Sequence, residues 1–84
     1  MSRLKAGQLY GTVAAARAVG VSRRRLHYWV RMTQAVRPQV ARHGVRVYDR
    51  FSRRDVARLQ QLKRLIDHNG YTLRAAARRI QEET

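Results

Sequence analysis

Residues 23–25 are three consecutive arginines, and His27 and Arg31 follow at four-residue intervals from Arg23. A guanidinium is a planar fork of N–H donors that fits a carboxylate, a phosphate or the two acceptors on a guanine edge. A run of such groups points to recognition rather than bond-making chemistry. No catalytic set accompanies it. The five carboxylates, Asp49, Asp55, Asp67, Glu82 and Glu83, fall at caps, turns and the C-terminal tail, no nucleophile is paired with a base, and there is no glycine-rich phosphate loop. The chain therefore reads as no enzyme. His27, His43 and His68 lie in separate elements without ligand spacing, and cysteine is absent, so neither a metal nor a cofactor is expected.

Nineteen Lys and Arg against five Asp and Glu leave a formal charge of +14 on 84 residues. Solubility needs only a modest net charge, and an excess of this size repels itself in the compact state, so a polyanionic partner is implied. A membrane surface would call for a long basic helix with a continuous apolar face, or an apolar span of about 20 residues. Neither occurs, and no membrane partner is expected. The length suits one small domain over 1–84, burying about 60–65% of its unfolded surface, with no internal repeat or dividing linker. Residues 1–8 carry two cations and no apolar stretch, unlike a secretory signal. Together with the lack of cysteine, this suggests a cytoplasmic, nucleoid-associated protein.

Punctuation along the chain sets out the elements that must position the arginines. About 1–9 reads as a tail. Thr12 is an expected N-cap for a short helix over 13–19 with Val13, Ala16 and Val19 on its inner face, and Gly20 stops it. Ser22 caps a second helix in which Leu26, Trp29 and Val30 face inward, leaving Arg23, Arg24, His27 and Arg31 outward. Val36, Arg37 and Pro38 predict extended chain, followed by a hairpin with strands over 39–42 and 45–48 that turns at His43 and Gly44. Ser52 and Asp55 form a capping-box start for a helix whose stripe is Val56, Leu59, Leu62, Leu65 and Ile66, ending at Asn69 and Gly70. A last helix, capped by Thr72, turns Leu73, Ala76, Ala77 and Ile80 inward and Arg74, Arg78 and Arg79 outward.

This order is mostly α: a helix-turn-helix over 10–32, a two-stranded wing over 36–49 and two further helices over 52–83, which is a winged helix-turn-helix. Over roughly residues 10–82 the chain resembles the DNA-binding domain of MerR-type transcription regulators. The likeness is carried by "TVAAARAVGVS", "LHYW", "VRP", "GVRVY", "FSRRDVARLQQLKRLI" and "NGYTLRAAARRI" in this order.

The resemblance implies that the start of the second helix and the residue after its buried leucine face the major groove, which here means Arg23, Arg24 and His27. Arginine on guanine O6 and N7 discriminates by roughly 1–3 kcal/mol, so Arg23 and Arg24, with His27, are the candidates for base readout. His27 stands where the family commonly has arginine and brings a charge that depends on pH. Arg25 is expected on the phosphate backbone, together with Arg31. Of the aromatic pair, Trp29 packs in the core by its spacing from Leu26, and Tyr28 can offer its hydroxyl to phosphates. Arg46 matches the family's wing arginine, with Arg42 and His43 on the same hairpin. Lys63, Arg64 and the outer arginines of the last helix either extend the phosphate track or form a solvated face. Tyr48 is expected in the core or as a support for the recognition helix.

Two departures limit what carries over. Val30 stands where most members have an acidic residue. Members also continue into a long dimerising helix and an effector-binding region, whereas three residues after Gln81 supply no heptads, so no small-molecule effector is expected on this chain. The expected assembly is an excised domain of a longer regulator, or a small member that binds as a monomer, a dimer or a side-by-side array on DNA. The sequence thus points to sequence-specific recognition of double-stranded DNA in transcription regulation. An excisionase-like or architectural DNA-bending protein shares the fold and the charge. A small basic RNA-binding protein of ribosomal type shares the size and charge.

Overall fold

The computed structural model describes residues 8–83. Its elements are β1 (Leu9–Tyr10), α1 (Thr12–Val19), α2 (Arg23–Met32), β2 (Gln39–His43), β3 (Arg46–Ser52), α3 (Arg53–Asn69) and α4 (Leu73–Glu82). This is the expected winged helix-turn-helix with one addition. β1 pairs with β3, so the wing is part of a three-stranded antiparallel sheet ordered β1-β3-β2. The expected tail therefore stops short of Leu9, which is paired with Ser52 while Tyr10 is paired with Phe51; residues 1–7 lie outside the described residues.

The helix-turn-helix is set by small residues and two different caps. α1 begins at Thr12, one residue before the expected start, so Gly11 rather than Thr12 is its N-cap, and no side chain caps this end. Starting there puts Ala15, Ala16 and Val19 on the buried stripe and leaves Val13, expected inside, half exposed. Gly20 takes φ of 86°, the left-handed region in which a side chain is strained, and the Gly20 and Val21 N–H groups both donate to the Ala16 carbonyl. Ser22 then opens α2, its Oγ accepting from the Arg25 N–H at 3.1 Å. After Met32 the Thr33 hydroxyl donates back to the Trp29 carbonyl at 2.8 Å and accepts from the Ala35 N–H at 3.3 Å. This turn drives Ala35 and Val36 into the core.

The hairpin differs from the expected one in register. His43 pairs with Arg46, so the two-residue turn is Gly44 and Val45 rather than His43 and Gly44. Gly44 carries the positive φ of 62° that the first central position of a type II′ turn requires. β3 also runs four residues past Tyr48, bringing Phe51 into the core. Ser52 ends β3 and caps α3 in a complete capping box: Asp55 N–H donates to Ser52 Oγ at 3.0 Å and Ser52 N–H to Asp55 Oδ2 at 2.9 Å.

One apolar cluster holds these elements. Val56, Leu59 and Leu62 of α3 meet Leu26 and Trp29 of α2, Phe51 of β3 and Ala76, Ala77 and Ile80 of α4, while Val30, Leu65, Ile66 and Leu73 pack at its margin. Among the described residues no polar or charged residue is buried. Each fully buried Leu or Val contributes about 1.5–3 kcal/mol, so α3, which supplies three of them, is the spine on which α2 is seated.

Candidate nucleic-acid interface

Because Leu26 and Trp29 dock α2 onto the core, the opposite side of that helix is committed to solvent. Arg23, Arg24, His27, Tyr28 and Arg31 are all exposed there. Arg23, Arg24 and His27 line one open cleft, and its other walls come from the start of α1 and from the wing. Arg17 enters it from α1, and Tyr48 and Arg50 enter it from β3. Three of the expected site residues are therefore brought together, and three residues not expected there join them.

The wing side of the cleft is built by strand alternation. In the β2–β3 register Ala41 lies opposite Tyr48, Gln39 opposite Arg50 and His43 opposite Arg46, so His43, Arg46, Tyr48 and Arg50 share one sheet face. Arg42, opposite Val47, is on the other face with Val40. On the first face the His43 ring meets Tyr48 edge-on at 6.0 Å, and the Arg50 guanidinium lies 5.8 Å from the centre of the Tyr48 ring. Tyr48 is thus a surface residue held between a histidine and an arginine, not a core residue as one of the two expectations had it. Arg50 is also held close to the start of α1: a Cβ on Gly11 would sit 3.3 Å from its guanidinium. The signal that could have found Arg50 was its even spacing from Arg46 and Tyr48 in a strand longer than supposed.

Two expected site residues are directed elsewhere. Tyr28 belongs to a second groove on the opposite flank of α2, shared with Met32, Thr72, Leu73, Arg74 and Arg78. Arg25 reaches back to α3: its Nη2 lies 3.5 Å from Asp67 Oδ1, and its guanidinium sits 4.7 Å from the centre of the Trp29 ring. Asp67 is held from its other oxygen by Lys63 Nζ at 3.2 Å. The Lys63 hydrogen bond, with the charges of Lys63 and Arg25 in support, keeps the Asp67 carboxyl below its ordinary value of 3.8. A carboxylate with a depressed value keeps its pairing above that ordinary value and loses it only as pH falls through the lowered one.

Electrostatically the cleft is cationic with a single carboxylate, Asp49, in its wall. Among the described residues Arg23, Arg24, His27 and Arg31 have no ion-pair partner, whereas Asp67 and Glu83 are engaged elsewhere with Lys63, Arg25 and Arg79. Such a surface holds polyanions, and the N-terminal dipole of α2 adds to it. No three His, Asp or Glu side chains among the described residues are grouped to hold a metal ion. No described helix is long and apolar enough to cross a membrane.

A comparison with curated proteins finds no match. A comparison with protein families matches residues 10–83 to the MerR HTH family of regulatory proteins. That span takes in the helix-turn-helix, the wing and both helices behind them, and the chain belongs to the MerR family of DNA-binding regulators.

Proposed function

We propose that this chain reads duplex DNA sequence-specifically as a transcription regulator, with α2 in the major groove and the wing against the adjacent backbone or minor groove. The observation that carries the reading is the convergence of Arg23, Arg24 and His27 with Arg17 and Arg50 in one cleft, where Arg23, Arg24 and His27 have no ion-pair partner among the described residues. An α-helix is about 10–12 Å across with its side chains, and a B-form major groove about 12 Å wide admits it.

Arg23, Arg24 and His27 are the proposed base readers. Arg31, His43 and Arg46 take phosphates, and Tyr28 with the second groove meets the backbone on the far side of α2. Arg42, on the sheet face opposite Arg46, is the remaining proposed phosphate contact of the hairpin. DNA is the partner, with or without a second copy of the chain beside it, and the site of action is the chromosome in the cytoplasm.

Selection of bound duplexes from a random library at stated salt tests this reading. One enriched motif is expected, and its form, as a single site, an inverted repeat or a direct repeat, names the assembly. Absence of an enriched motif, or preference for structured RNA in competition, would sink the proposal.

A further inference from the structure

Three adjacent arginines at the start of a recognition helix look interchangeable, yet one of them is held differently. Arg23 and Arg24 line the open cleft and have no partner among the described residues. The Arg25 side chain has two constraints. Its guanidinium lies over the buried indole of Trp29, and its Nη2 meets Asp67 on the neighbouring helix. Asp67 in turn divides its two oxygens between Arg25 and Lys63. The indole gives the arginine stem an apolar shelf and the guanidinium a π face, so the carboxylate has only to finish a placement already favoured.

We propose that Asp67 is a specificity-determining positioning residue, which withholds Arg25 from DNA by holding it across Trp29. The inference rests on the DNA-binding reading above and replaces the phosphate role that the sequence suggests for Arg25. A third free guanidinium at this helix start would find a phosphate on any duplex. Phosphate contacts strengthen binding without regard to sequence, so they narrow the gap between the right site and all others. Holding Arg25 back leaves Arg23 and Arg24 to address base edges with one sequence-blind cation fewer beside them. Asp67, on a helix that does not line the cleft, thereby acts on recognition through another residue.

The test compares wild type, Asp67→Asn, Asp67→Glu, Arg25→Ala and the double variant Arg25→Ala/Asp67→Asn. Each is titrated with the selected duplex and a scrambled one across a salt series. The emission of Trp29, the only tryptophan, is recorded on the DNA-free proteins. Asp67→Asn should bind the scrambled duplex several-fold more tightly, steepen the dependence of log K on log salt by about 0.9, and lower the ratio of selected to scrambled binding. Arg25→Ala should leave the wild-type slope unchanged. The double variant should cancel the gain, because Arg25 and not the released Lys63 supplies the new contact. Trp29 emission should change in both Asp67→Asn and Arg25→Ala, and Asp67→Glu should restore the wild-type values.

The proposal is overturned if Arg25→Ala alone lowers the slope, if the gain survives in the double variant, or if Asp67→Asn moves neither slope nor emission. A wild type without preference among duplexes defeats the DNA reading separately. In that case unchanged Trp29 emission in Asp67→Asn still overturns the clamp.

Discussion

Arg24 and Arg46 carry the same charge but are proposed for different work. Arg24 lines the cleft from the exposed side of α2, where O6 and N7 of a guanine would accept one pair of its N–H donors, while Arg46 stands at the end of the hairpin beside the Gly44 and Val45 turn. Arg24→Ala should therefore cost about tenfold or more in binding to the selected duplex and little on a scrambled one. Arg46→Ala should weaken both equally and reduce the salt slope by about 0.9. Titration of the two variants on the two duplexes checks both, and equal losses for Arg24→Ala would remove it from base readout. Side-chain spacing within α2 was enough to put Arg23, Arg24, His27 and Arg31 on its outward face, and the resemblance to MerR-type regulators singled out Arg23, Arg24 and His27, which line one cleft. Neither was enough for Arg25, because the Asp67 that holds it lies 42 residues away and no local pattern reports such a pair.

At the scale of elements, legibility followed the caps. Ser22, Ser52 with Asp55, and Thr72 each have a side-chain oxygen that takes an N–H three residues on, and these helix starts were read correctly. α1 was misread by one residue because Gly11 leaves no side-chain signature, while Thr12 beside it has one. The hairpin slipped for a related reason. A glycine satisfies a tight turn from either central position, and alternation around it was too weak to choose between them. β1 is only two residues long and exists through its pairing with β3, so nothing in its own residues announces it. The capping box yields a test at this scale. Ser52→Ala removes the acceptor for the Asp55 N–H and should destabilise the fold by about 1 kcal/mol, seen as a lower midpoint in chemical denaturation with an unchanged slope.

For the whole molecule, charge and element order were legible, whereas the convergence of α1, α2 and β3 on one cleft was not, since it depends on how three elements pack on the α3 spine. The cleft and the second groove flank α2 on opposite sides, with Arg17, Arg50 and, on the same sheet face as Arg50, Arg46 on one side and Arg74 and Arg78 on the other. A duplex presents two backbones across its major groove, and in the proposed complex each flank faces one of them. With about five phosphates neutralised, log K should fall against log salt with a slope of about −4 to −5 on any duplex, measured by fluorescence anisotropy. A slope near −2 would confine the contact to one flank.

Ser52 ends one strand and begins one helix, and no spacer separates the wing from α3. Chain length in β3 is therefore constrained by parity. Adding a single residue between Tyr48 and Phe51, with Phe51 still pinned opposite Tyr10, would invert the wing and carry Arg46 and Tyr48 to its outer face; adding two would restore the side but lengthen the arm. The tip is under no such rule, because nothing lies within 4 Å of where a Gly44 Cβ would stand and Val45 is fully exposed. Variation in wing length should therefore accumulate at the tip, while the stem changes only in pairs.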